Sequence, residues 1–542
     1  MTQPSTKRLL TESAGDARYP KRGELVFNVK DYGAKGDGAT DDTAAIQSAI
    51  TAAAAGNGHV LFPPATYVVT SLNVQAGIIL DGYGATLKRP ANTPNWTRTI
   101  TNQNNIYVGD ADSTRPIVIR GLTLDGNLAN QGTYSGFQLE QAMLVMIAGN
   151  TTKAGRECAV IEDVSTVNSP SDGIHILANV DAEIRNCRGV DCFRGGLVFS
   201  GGNSTVRVTG YKGSGTIEGA HLDTEIDTAG FGGSYTLDLA VSDSRFLGTI
   251  RSMQLEAHTG GRVAITNTII NGGLWVYGGD ATHGSGSVRI TRCTINTYQA
   301  TFRNQILNPK DVRIEDCDVY SHNTSGAAQA VRAFEVSHNN AGSGVGDNNL
   351  QFVDVRFWAG TTVAGDTRTA VYVNAATPAD GAVTIRGGAV ASTYDTAYQL
   401  FSGGKLSVDH RPRIASTFAL RISSNSAAPR LCDVTIGQLV LESTCTTYMW
   451  VENSVAGTTV THLNTVIDEA RNALATVTGL AGNTYLGNRV ILVAAAPTTS
   501  TVGLLGDVAR IKVPTAGAPF EWVCTSTRAP SSTWKAKASL AA

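Results

Sequence analysis

Between residues 172 and 335, carboxylates, histidines, an arginine and two neighbouring aromatics recur beside a series of short apolar runs. In order they are Asp172 and His175, then His221 with Asp223 and Glu225, then Gln254 with Glu256 and His258, then Trp275 with Tyr277, and lastly Arg303 and Glu335. The apolar partners read Ile174/Ile176, Leu197/Phe199, Ala220/Leu222, Met253/Leu255, Leu274/Val276, Phe334/Val336 and Val371/Val373. A period of two sends these inward and the polar set outward. In a parallel stack, matching positions lie ~5 Å apart, so Asp223 and Glu256 are expected as close carboxylates in adjacent turns. Two such groups repel, and one then holds a proton near neutrality. That pairing cleaves a glycosidic bond, one group as acid and the other as nucleophile or base. Trp275 and Tyr277 would stack on the apolar face of a sugar, with Gln254, Glu225, Asp172, His175 and Arg303 as further substrate contacts.

A lyase would use the same residues differently. His221 or His258 would remove the proton beside a uronate carboxylate, and Arg303 or a Ca²⁺ ion held by Asp223, Glu225 and Glu256 would stabilise the enolate. The hydrolytic reading needs no cofactor and no metal. A plain solvated sheet face is the competing account, and a slip of one residue would turn the whole set inward.

Positioning these side chains requires a regular scaffold, and residues 115–441 supply one as an internal repeat. Its anchors are Ile119, Ile161, Ile184, Val208, Val241, Ile265, Ile290, Ile314, Phe352, Ile385 and Ile436. The shortest steps are near 24 residues, which suits one turn of a parallel β-helix with three short strands and three bends; longer steps carry inserted loops. Cys187, Cys293 and Cys317 fall at one repeat position and read as small buried hydrophobes rather than metal ligands.

Ahead of the repeat, Phe27–Ile50 combines a strand-like run, a turn with Gly33, Gly36 and Gly38, a capping residue (Asp41 or Asp42) and an apolar helix face of Ala45, Ile46, Ala49, Ile50 and Ala53. Such a helix closes the open end of a strand solenoid. The segments DYGAKGDGATDDTAAIQSAI (31–50), VLFPPATYVV (60–69) and LDGYGATL (80–87) resemble the start of the pectate-lyase-like superfamily, and SDGIHI (171–176) resembles a strand end near its polysaccharide cleft. The resemblance covers roughly residues 27–440. It implies an all-β chain, a right-handed parallel β-helix with an N-terminal capping helix and a small C-terminal β module. The superfamily holds lyases, hydrolases, isomerases and phage tailspikes, and the catalytic aspartates usual in polygalacturonases are not evident here.

A net charge of −2 with 16% charged residues argues against a nucleic-acid partner, and no apolar run of ~18 residues predicts membrane insertion. Residues 1–25 lack the apolar core of a signal peptide. They hold one short helical candidate, Lys7–Arg18, and resemble the start of phage tail-fibre chains. They are therefore expected to attach the protein to a phage tail or baseplate, or to help a homotrimer form. Residues 26–441 are expected to form the β-helix. Residues 442–542 are expected to form a capping, trimerisation or receptor-binding module, with a helix at Leu463–Leu474 and a β segment built on Trp522 and Trp534. Together these features predict a virion tail protein assembled in the host cytoplasm, which binds host surface polysaccharide and cleaves it. A non-enzymatic receptor-binding or structural tail-fibre protein of the same fold is the alternative.

Overall fold

The structure, a computed structural model, describes residues 26–55, 58–93, 99–101, 115–132, 141–149, 157–201, 203–215, 219–225, 236–256, 261–277, 286–298, 304–307, 311–338, 349–375, 382–401, 404–423, 432–452, 459–462, 466–468, 474–478, 484–486, 490–493, 495–497, 507–511, 519–528 and 531–539. Two compact units divide the chain, residues 1–233 with 237–239 and residues 234–236 with 240–542. The expected attachment segment, 1–25, lies outside the described residues.

In the first unit, strand Val26–Asn28 opens the chain, and a helix follows at Thr43–Ala54. Gly33, Gly36 and Gly38 all have positive φ, as a loop this tight requires. The two candidate capping residues divide the work. Asp41 accepts from the Thr43 amide at 2.9 Å. Asp42 is buried and accepts from the amides of Lys35 and Gly36, fastening the glycine loop. Ile46, Ala49, Ile50 and Ala53 form the helix's buried face.

Strands then pair in parallel turn upon turn. Phe27 pairs with Val60, Val60 with Leu80, Leu80 with Ile119, Ile119 with Ile161, Ile161 with Ile184 and Ile184 with Val208. The repeat therefore begins at residue 26, well before its first anchor at Ile119. In the second unit Ile265, Ile290, Ile314, Phe352 and Ile385 pair in succession. The long step from Ile385 to Ile436 is two turns, because Val408 pairs with both. Pairing also continues past residue 441, joining Ile436 to His462 and Thr459–His462 to Thr484–Leu486. This is the right-handed parallel β-helix expected from the sequence.

Two residues after each anchor from Ile119 to Ile385, and after Val408, the backbone turns left-handed. Gly121, Asp163, Asn186, Gly210, Asp243, Asn267, Arg292, Asp316, Asp354, Gly387 and His410 all have φ between 48° and 71°. Asn, Asp and Gly tolerate this region because a short polar side chain or a missing Cβ relieves the clash that excludes other residues. From the Ile119 turn to the Phe352 turn the following residue is buried at the corner. Cys187, Cys293 and Cys317 occupy it, their thiols facing the carbonyls of Ile161, Ile265 and Ile290 in the preceding turn. Burial pushes the Cys187 thiol up to about 12, as expected for a small hydrophobe rather than a ligand.

The expected helix at Leu463–Leu474 is corrected: Val466–Asp468 is a strand. Its Val and Ile pair in parallel with Val490–Val493, where β-branched residues pack well. A small sheet continues through Val508–Ile511, Pro519–Arg528 and Ser531–Ser539, the last two pairings antiparallel. Trp522 is buried in it.

Candidate functional site

The site begins at the turn before strand Ile174–Leu177. The Ser169 hydroxyl donates to the Asp172 carbonyl at 2.8 Å and accepts from the Ser171 amide. At Gly173 an added Cβ would lie 2.4 Å from the Thr166 hydroxyl oxygen, so only glycine lets the strand enter here. Parallel pairing then aligns Ile174 with Leu197 and Leu222, and Ile176 with Phe199 and Thr224, on the inward side. His175, Val198 and Asp223 share one outward position, and Leu177, Ser200 and Glu225 share the next.

Across these turns runs a continuous polar chain. His175 Nδ1 lies 3.0 Å from Asp172 Oδ2, and its Nε2 lies 2.6 Å from Ser200 Oγ. A carboxylate only accepts, so Nδ1–H donates to Asp172, and Nε2 shares a hydrogen bond with the Ser200 hydroxyl. Arg194 Nε is 3.6 Å from Asp172 Oδ1, and Arg194 Nη2 donates to Glu225 Oε1. Asp172 is fully buried, and His175, Arg194 and Ser200 are at most 7% exposed. The Glu225 side chain is 31% exposed. The chain thus leads from a dry interior to a carboxylate at the surface, with Asp223 half-buried two residues away on the same strand. A buried network with this connectivity fixes the orientation of its last member.

Asp172 and His175, secondary candidates from the sequence, are therefore brought together, and Glu225 joins them. Arg194 and Ser200 were missed. Ser200 follows from extending the outward alternation two residues beyond Val198. Arg194 sits between strands, where no periodicity marks it.

His221 is corrected. Expected as an accessible base, it is fully buried. Neither ring nitrogen has a hydrogen-bond partner among the described residues, and burial lowers its pKa to about 4. Gly196 and Gly213 make room: a Cβ on either would come within 2.9 Å of Nδ1.

Asp223 and Glu256 belong to different units, and the Glu256 side chain lies outside the described residues. The carboxylate that shares a strand with Asp223 is Glu225. His258 and Arg303 are also outside the described residues. Gln305, not Arg303, holds the column position between Trp275 and Glu335. Among the described residues no group of three or more His, Cys, Asp or Glu is placed to hold a metal ion.

In the second unit the outward column runs Gln254, Trp275, Gln305, Glu335, Tyr372, Gln399, Arg421 and Trp450, with Tyr277 beside Trp275 one position on. Gln254, Trp275 and Tyr277 are half-buried. Arg332 pairs with Glu335 at 2.8 Å and lies 3.5 Å above the Tyr372 ring, and Arg421 lies 4.9 Å from the Trp450 ring centre. These are cation–π contacts that hold the rings in place.

Residues 26–212 match the family described as rhamnogalacturonase A/epimerase, pectate lyase-like. Mannuronan C5-epimerase AlgE3 of Azotobacter vinelandii is 38% identical over 127 residues, 21% of this chain and 7% of that protein. Alginate lyase 7 of the same organism is 37% identical over 123 residues, 21% of this chain and 14% of that protein. The chain thus matches only a small part of the length of these relatives. Among solved structures, the A-module of the Azotobacter vinelandii epimerase AlgE4 aligns over 84% of this chain and 99% of its own, with 16% identity and a TM-score of 0.36. The N-terminal fragment of bacteriophage Phi29 gene product 12 aligns over 86% and 87%, with 13% identity and a TM-score of 0.41.

Proposed function

We propose that this chain, whose residues 26–212 match the rhamnogalacturonase A/epimerase, pectate lyase-like family, is a polysaccharide-acting enzyme that cleaves glycosidic bonds at Asp223 and Glu225. One observation carries this reading: Glu225 is gripped by Arg194 at the surface end of the buried Ser200–His175–Asp172 chain, beside Asp223 on the same outward face. Alternate residues of a strand have Cα atoms roughly 6.5–7 Å apart, a span over which two carboxylates can flank one glycosidic bond. Arg194 points Glu225 outward, and Asp223 is the partner that exchanges a proton with the leaving oxygen or with C5 of a uronate. The names of the relatives, epimerases and a lyase, favour an acidic polymer and carbanion chemistry. The wider proposal remains a phage tailspike-like homotrimer acting on host surface polysaccharide, attached through residues 1–25, with no cofactor, or with Ca²⁺ if the reaction is elimination.

The test is incubation with polymannuronate, pectin and host capsule glycans, following reducing ends together with the ultraviolet absorbance of an unsaturated product. Asp223→Asn and Glu225→Gln should each lower turnover by roughly 10²–10⁴-fold. Full activity in either variant overturns the assignment. Reducing ends without absorbance indicate hydrolysis, and both together indicate elimination. A non-catalytic receptor-binding role is the second reading, favoured by the ring and arginine column of the second unit. Binding of glycan with no product from any polymer supports it.

A further inference from the structure

The second unit carries a depression of about 370 Å³ whose lining includes none of the Gln254–Trp450 column residues. It lies over strands Arg356–Ala359, Ala389–Val390, Arg413–Ile414 and Val440–Leu441. The Ala391 amide donates to the Phe357 carbonyl, the Ala415 amide to Val390 and the Glu442 amide to Ile414, at 2.8–3.0 Å. Trp358, Ala391, Ala415 and Glu442 therefore occupy one register position in four successive turns. At ~4.8 Å per turn, two alanines leave a gap of roughly 14 Å between tryptophan and glutamate.

The two walls differ in chemistry. Tyr320 pairs with Trp358 in the turn before, and their rings stack 5.1 Å apart at 16°. One indole face is thus covered, and the other borders the gap. Opposite, Glu442 Oε1 and Arg413 Nη2 pair at 2.6 Å. Trp358, Ala391, Ala415, Arg413 and Glu442 all line the depression. A flat apolar wall, a methyl floor and a wall of charge-balanced donors and acceptors match a ring with one C–H face and a rim of hydroxyls.

We propose that this pocket binds one neutral pyranose unit, its C–H face on Trp358 and its hydroxyls on Glu442 and Arg413. The ligand is neutral because Glu442 already balances the Arg413 charge. This site stands whether or not the chain cleaves polysaccharide at Asp223 and Glu225.

The experiment is saturation-transfer NMR on the full chain with methyl β-D-glucopyranoside, methyl β-D-galactopyranoside and sodium glucuronate. Expected is transfer to the ring C–H protons of at least one neutral glycoside, with an affinity on the order of 1 mM. Trp358→Ala and Ala415→Leu should each weaken it by about tenfold or more. Ala415→Leu fills the floor while keeping the stacked rings, so it decides the matter should Trp358→Ala fail to fold. Tyr83→Ala, which removes an exposed aromatic of the first unit, should leave the signal unchanged. The proposal is overturned if neither neutral glycoside shows transfer, if glucuronate is preferred, if the signal survives Ala415→Leu, or if Tyr83→Ala abolishes it.

Discussion

Acidification should weaken the first unit through His221, and the size of the effect follows from its burial. The ring is fully buried, without a hydrogen-bond partner among the described residues, and its pKa falls from 6.5 to about 4 because burial disfavours the charged form. The unfolded chain binds a proton near pH 6.5 that the folded chain refuses until about pH 4. Between those values the unfolded state holds more protons, so stability rises with pH and is lost as pH falls. A shift of this size corresponds to about 3 kcal/mol, fully present above pH ~6.5 and gone below pH ~4. His221→Leu removes the two buried nitrogens while keeping an apolar side chain of similar bulk, so its stability should lack this component. Urea unfolding of both proteins across that range, with the His221 ring followed by NMR, measures the difference. Parallel pH profiles, or a His221 resonance titrating near 6.5, would refute the reasoning.

Asp172→Ala should cost about 3–5 kcal/mol in urea unfolding, because it strips a buried guanidinium of a carboxylate neighbour and His175 of its acceptor; a loss below about 1 kcal/mol would show the network to be slack. At the left-handed corners, Asn267→Val should cost about 1–2 kcal/mol and Arg292→Asn should gain a fraction of that, read as opposite shifts in unfolding midpoint.

Much of the scaffold was legible because its determinants are local and repeat. Ile184 predicts Val208 by spacing alone, and Ile174 with Leu197 was read in register, whereas Leu222 rather than Ala220 pairs with Leu197. Val408 escaped because Arg411 stands where Cys187, Cys293 and Cys317 stand in other turns, so no small residue marked the corner. The helix expected at 463–474 failed for the usual reason that helical spacing over a short run is overridden by a neighbouring strand offering a ladder. The site was legible only where it lies on strands. Asp172, His175, Asp223 and Glu225 sit on or beside the predicted alternation, whereas Arg194 reaches the network from a connection. The inversion of His221, from exposed base to buried ring, depended on Gly196 and Gly213 in neighbouring segments, which no reading of its own strand could supply.

The left-handed corner two residues after the anchors from Ile119 to Val408 has a consequence for how such a chain can change length. It acts as a phase marker, resetting parity once per turn, so whatever is inserted between one corner and the next is forgotten by the strand that follows. Loops such as the one between Ile119 and Ile161 can grow without rotating Ile161 off its partner. Deletion or duplication of a whole corner-to-corner segment would likewise preserve which residues face in and which face out. A single residue lost between an anchor and its corner has no such protection. The chain is in effect written in frames of one turn, and its outward residues can be re-lettered, frame by frame, without rewriting the interior.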